Sequence, residues 1–247
     1  RMAELQVDVL LLSVGADLPY FTGYRAMPLE RLTMLVVPRD GDATLLVPEL
    51  EAARVYTPPG VLTVQPWGEL ENPIDLVAAR MGAAQTAAVG DHTWARFLLD
   101  LQTSRPQTAF SRATPITSPL RQQKTIEELD RLRAAGAAVD ACIADLRELR
   151  FSGRREIDVH RDICALLIDH GHETVDFAIV AAGENAASPH HEPGERLIRD
   201  GETVLCDFGG TRADYCSDIT RVFSVGGEAP AEIAEAWAAL QVAQEAG

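Results

Sequence analysis

The sequence predicts an α/β domain over residues 1–118, followed by an α+β domain over residues 119–247. Three observations carry this. Short apolar runs alternate with helical patterns through the first ~115 residues, as expected of an α/β layer. A long amphipathic pattern opens just after Ser118-Pro119, a plausible boundary. The second half then runs helix, helix, strand and a two-stranded hairpin, the order of an α+β domain.

The elements follow in order. Residues 7–14, VDVLLLSV, read as a buried strand. Residues 17–25 contain Pro19 and Gly23 and form a turn or short helix. Residues 32–38 and 43–48 are strands around Arg39-Asp40-Gly41-Asp42, a hairpin signal. Residues 49–56 look helical, and 62–67 form a short strand. The run ENPIDLVAARMG is a helix ended by Gly82. TAAVGD is a strand, TWARFLLDLQ a helix beginning after Asp91, and QTAFSRA the last strand of the first domain.

In the second domain Thr125 and Glu128 form a capping-box pattern. Ile126, Leu129, Leu132, Val139, Ile143 and Leu146 recur at helical spacing, so a long helix over 125–150 is expected, broken by Gly153. REIDVHRDICALLIDHG is a second helix closing at Gly171, and VDFAIVAAG is a strand. The loop ENAASPHHEPGER precedes the hairpin. At the ends, Met2 and Leu5 read as the tail of an amphipathic helix, and a helical pattern runs to Gly247 without a stop signal. Such ends are expected of an interior piece of a longer protein.

The 247 residues are 47% hydrophobic, enough for a sizeable core, and carry a net charge of −15. A sequence pI of about 4.8 argues against nucleic acid and anionic membrane surfaces, which need a positive face. The longest apolar runs are far too short to cross a bilayer, and no signal-peptide pattern opens the chain. Cys142, Cys164, Cys206 and Cys216 form no C-x-x-C pair. Alternation puts Cys206 and Cys216 on opposite faces, so no disulfide joins them. Free core thiols in a reducing cytoplasm are expected.

The hairpin over residues 204–223 is the informative stretch. Asp207 lies among Val204, Leu205, Cys206 and Phe208, and Asp218 among Tyr215, Ile219, Val222 and Phe223. Residues 209–213 read as the loop. A simple register then sets the two carboxylates directly opposite on one sheet face, with Cβ atoms roughly 5 Å apart. Like charges there destabilise a sheet unless a cation lies between them, and hard carboxylate oxygens suit divalent metals.

The spacing D-x-G, then S-D-x-T-R, resembles the first two metal ligands of the creatinase/Xaa-Pro peptidase family, the pita-bread metallopeptidases. Gly209, Tyr215, Ser217, Thr220 and Arg221 also fit the pattern. The resemblance extends loosely to DLPYFTGYRAMPLERLTMLVVP in a creatinase-like N-terminal domain, and to LRQQKTIEELDRLRAAGAAVDACI at the entry to a catalytic domain. It implies that Asp207 binds one metal and Asp218 bridges two, with manganese favoured and cobalt or zinc as alternatives. It further implies that a bridging water attacks the carbonyl before a prolyl nitrogen in a dipeptide or peptide substrate. Homodimers are common in the family.

The family places a histidine in a P-H pattern in the loop before the hairpin, which falls on His190 and implies a catalytic role there. A loop imidazole beside a metal-bound carbonyl can donate to developing negative charge. His191 is then an outer partner or solvent-exposed. His92, His160, His170 and His172 read as structural, the last two flanking a helix-ending glycine. Thr220 shares a face with Asp218 and could support it. Arg221 points the other way, toward a structural ion pair. Tyr215 reads as core. Ser217 has no matched His–Asp pair and is not a nucleophile. The glycine loops lack a following Lys or helix, so no phosphate site is expected.

The family's metal site needs five protein ligands. The resemblance puts a His and two Glu in a later half, with a second active-site histidine, and none of these lies within residues 1–247. The 1–247 chain is therefore expected to be inactive alone. Two rivals accompany the peptidase reading. One is a creatinase-like hydrolase of a non-peptide C–N bond. The other is an inactive pita-bread module that binds a partner.

Overall fold

A computed structural model describes residues 1–57 and 60–246, and Gly247 lies outside them. The chain divides into two compact units between Gln123 and Lys124.

In the first unit the elements run β1 (Val9–Leu12), α1 (Asp17–Thr22), β2 (Met34–Pro38), β3 (Thr44–Pro48), α2 (Glu49–Ala52) and β4 (Thr63–Trp67). They continue α3 (Pro73–Met81), β5 (Thr86–Val89), α4 (Ala95–Ser104), β6 (Ala109–Arg112) and α5 (Thr114–Gln122). The sheet order is β4-β3-β2-β1-β5-β6. The β1–β2–β3 meander is antiparallel, whereas β4, β5 and β6 join in parallel. Alternation along β1 explains the core. Val9 and Leu11 pack with Met34, Leu46, Val77 and Leu101 on one face. Leu10 and Leu12 pack with Leu18, Leu35, Leu45 and Ile116 on the other. Both faces are dry, which is why residues 7–14 read as continuously apolar.

Three expectations need correction here. The helical pattern at 49–56 yields only the four residues of α2, because nothing within it is buried. Residues 2–6 form turns rather than a helix tail, closed by the Leu5 N–H bonding to the Arg1 carbonyl at 3.1 Å. Ser118-Pro119 lies inside α5. Pro119 has no N–H to give the Pro115 carbonyl, and that oxygen accepts from the Arg1 guanidinium at 3.1 Å instead.

In the second unit the elements are α6 (Ile126–Glu148), α7 (Glu156–Asp169), β7 (Thr174–Ala182), a 3-10 turn (Gly183–Ala187), β8 (Thr203–Arg212), β9 (Tyr215–Cys216), β10 (Ile219–Ser224) and α8 (Ala231–Ala246). The capping box at α6 is present in full, with Thr125 and Glu128 each satisfying the other's backbone N–H. The antiparallel sheet runs β10-β8-β7, with β9 also on β8. Its inner face sends Ala178, Val180, Val204, Cys206 and Phe208 against Val139, Ile143, Val159, Ile163 and Leu167 of α6 and α7. Among the described residues, no helix is long and apolar enough to cross a membrane.

Candidate metal centre

The hairpin is longer and tighter than residues 209–213 imply. β8 continues through Gly209 and Gly210 to Arg212, and Ala213 and Asp214 alone make the turn, at φ 49° and 70°. Positive φ at both central residues matches the right-handed twist of the strands, and Asp tolerates it better than most residues. The glycines serve another purpose. A Cβ on Gly209 would sit 2.0 Å from the Ser217 carbonyl oxygen, and one on Gly210 would sit 2.3 Å from that of Thr174. Neighbouring backbones occupy the space a side chain needs.

This turn moves the register by two residues. Asp207 pairs with Thr220, not with Asp218, and Arg212 pairs with Tyr215. The Ser217 N–H bonds to the Gly210 carbonyl at 2.9 Å, so the count holds across the gap between β9 and β10. By this count Asp218 falls opposite Gly209 and diagonal to Asp207, in the break between β9 and β10. A shift of two preserves facing, where a shift of one would have reversed it. Diagonal partners stand roughly 7–8 Å apart, within reach of a shared ion.

Asp207 is half-buried on the central strand, with Ile179 of β7 beside it. Its Oδ1 accepts from the Thr220 hydroxyl at 2.7 Å. Asp218 is exposed. Among the described residues neither forms an ion pair, whereas several acids elsewhere do, as in Asp8–Arg39, Asp17–Arg121 and Asp158–Arg155. Among the described residues no third His, Cys, Asp or Glu joins them in a metal-binding group.

Ser217 has a histidine partner but, among the described residues, no acid behind it. It is buried, and its Oγ lies 2.8 Å from Nε2 of buried His172. His172 Nδ1 stands 3.1 Å from the Leu167 carbonyl, which can only accept, so Nδ1 carries the proton and Nε2 accepts from Ser217. Ser217 Oγ also accepts from the Gly210 N–H at 3.3 Å. The pair pins the backbone one residue before Asp218. Tyr215 is half-buried, not core, and donates to Glu128 at 2.8 Å. Arg221 makes no ion pair among the described residues and donates to the Thr220 carbonyl at 2.8 Å. Cys216 is exposed, and all four cysteines are free.

His190 lies on the exposed loop after the 3-10 turn and has no hydrogen bond among the described residues. His191 is anchored, its Nε2 2.9 Å from Oε2 of Glu156, a wholly buried carboxylate. His170 pairs with Asp145 at 2.7 Å, and His160 Nδ1 donates to the Ala178 carbonyl at 2.7 Å. Glu156 went unread in the sequence, where it is one acid in a helix's first turn.

Residues 1–123 match the Creatinase/Prolidase N-terminal domain, and residues 130–247 match Metallopeptidase family M24. The structure of dipeptidase PepE from Mycobacterium ulcerans superposes with a TM-score of 0.87 at 34% identity, over 99% of this chain and 67% of that one. The chain belongs to metallopeptidase family M24. A recombinant prolidase from Thermococcus sibiricus superposes at a TM-score of 0.89, 26% identity and the same 99% of this chain, against 68% of its own. In sequence, "Probable dipeptidase PepE" of Mycobacterium tuberculosis H37Rv is 38% identical over 99% of the chain. The chain spans 66% of the length of that relative. Its fold is thus that of the pita-bread M24 proteins: a creatinase-like first domain, then an M24 domain of which these residues form part.

Proposed function

We propose that this M24 chain is part of a metal-dependent peptidase that cleaves the bond before proline in dipeptides or at peptide N-termini. The observation that carries the reading is the pair Asp207 and Asp218, two carboxylates on neighbouring strand segments that form no ion pair among the described residues. Relatives named dipeptidase and prolidase support the reaction class.

The residues fit divalent ions. The donors are hard carboxylate oxygens, the ligand type that divalent cations take. Asp207 and Asp218 would hold the metals, manganese first, with cobalt or zinc as alternatives. Divalent ions there supply Lewis acidity, which polarises a carbonyl and makes water a nucleophile at neutral pH. Thr220 fixes Asp207 by one oxygen, and the His172–Ser217 pair holds the approach to Asp218. His190, whose side chain has no hydrogen bond among the described residues, would donate to the scissile carbonyl oxygen as negative charge develops there. The remaining ligands would come from residues outside 1–247. Four free thiols support a reducing, cytoplasmic setting. A homodimer is proposed on the resemblance alone.

The test is an assay of the complete protein with manganese on Ala-Pro, Ala-Ala and creatine. Chelator-sensitive cleavage favouring Ala-Pro supports the reading. Chelator-resistant hydrolysis of creatine would replace it with the C–N hydrolase, and inertness on all three with a binding module.

A further inference from the structure

The loop joining β7 to β8 is built around a buried charge. Glu156 opens α7 and is fully buried. Its carboxylate accepts from the Ala182 N–H at 2.8 Å, from Asn185 Nδ2 at 3.0 and 3.1 Å, and from His191 Nε2 at 2.9 Å. Since a carboxylate only accepts, His191 Nε2 carries a proton. Burial pushes the Glu156 pKa up, but the Ala182 amide, His191 and Asn185 outweigh it and hold the group below its ordinary range. A buried carboxylate so supplied is costly to disturb.

The three partners are spread along the loop. Ala182 ends β7, Asn185 lies in the 3-10 turn, and His191 follows His190 directly. The far limb is stitched to the start of α7 by backbone bonds. Ile157 N–H reaches Gly194 O and Glu156 N–H reaches Arg196 O, both at 3.0 Å, and Ile198 N–H reaches Arg154 O at 2.8 Å. Arg196 further bridges Glu184 and Glu202. The loop is thus tied to the start of α7 on both sides of His190, while the His190 side chain has no hydrogen bond among the described residues.

We propose that Glu156 is a positioning residue for His190: by gripping the loop on both sides, it sets where that imidazole stands. The inference rests on the catalytic reading of His190 given above. The carboxylate is wholly buried among its loop partners and acts through the loop.

A double-substitution cycle on the complete, manganese-loaded protein tests this, with Glu156→Gln, His190→Ala and the pair, reading kcat, KM and bound metal. Misplacing a catalytic group by about 1 Å can cost on the order of a hundredfold. E156Q should therefore lower kcat about 10- to 100-fold, with KM and manganese content near wild type. In the H190A background it should cost nothing further, because there is no imidazole left to place. A double variant slowed by the product of the two single effects would overturn the positioning role while leaving His190 its own. H190A with wild-type turnover would overturn both. If E156Q does not fold, His191→Ala, which removes one of the bonds, takes its place under the same criteria.

Discussion

The two units use a sheet in opposite ways. In the first, side chains on both faces of the six-stranded sheet are sealed under helices, and every residue of β1 is buried. Acids around it are neutralised by arginines, as in Asp8–Arg39, Asp17–Arg121 and Glu51–Arg54. In the second, only one face of the sheet enters the core cluster. The other carries Asp207 and Thr220, with Asp218 just before β10, and no arginine or lysine is paired to the carboxylates among the described residues. A sheet packed on both sides has no position to spare for chemistry. One left open can hold unpaired charge, and that charge is what a cation would compensate.

The sharpest contrast is between Gly209→Ala and Leu11→Ala. A methyl group at Gly209 meets the backbone of the facing strand at 2.0 Å, and backbone cannot swing aside as a side chain can. The substitution should cost about 4 kcal/mol or more, or prevent the second unit from folding, as read by urea unfolding of each unit. Leu11 is fully buried on the central strand of the first unit. L11A should cost about 3 kcal/mol there, with manganese binding by the folded protein unchanged. A stable G209A hairpin, or an L11A variant that loses metal affinity, would blur the distinction between a packing sheet and a working one.

A smaller effect comes from Asp91 in the first unit. Hydrogen bonds from Arg112, then Thr114, hold its pKa down at about 2 from 3.8. A depressed carboxylate contributes stability above its unfolded pKa and loses it as pH falls through the folded one. The contribution is therefore present above about pH 4 and fades toward pH 2. The pair is largely exposed, so Asp91→Asn should cost under ~1 kcal/mol at pH 7 and nothing near pH 2. Paired melts at the two pH values check this, and an equal difference at both would contradict it.

The contrast also governs what the sequence disclosed. Alternation around Asp207 and Asp218 marked a hairpin, and a period of two keeps its meaning under a register shift of two. The register itself was hidden. Gly209-Gly210 is a turn signal, yet the glycines answer to backbone approaching from Ser217 and Thr174. The true turn, Ala213-Asp214, lacks the glycine that usually announces it. Glu156 and His172 were invisible as site residues because their partners His191 and Ser217 lie 35 and 45 positions away. No local pattern encodes such a pairing. Ser118-Pro119 read as a boundary because proline breaks helices, but α5 tolerates it by giving the orphaned carbonyl to Arg1.

Calorimetric titration with manganese tests most directly whether the two aspartates hold metal. It should be run on the complete protein, on its Asp207→Asn and Asp218→Asn variants, and on the 1–247 chain. The complete protein should bind tightly and stoichiometrically. Each substitution should weaken binding by on the order of a hundredfold, since catalytic metals depend on several protein ligands at once. The 1–247 chain, with two carboxylates, should bind weakly and hydrolyse no Xaa-Pro dipeptide. Wild-type affinity in both variants, or tight binding with hydrolysis by residues 1–247 alone, would contradict the assignment of Asp207 and Asp218 as part of a larger ligand set.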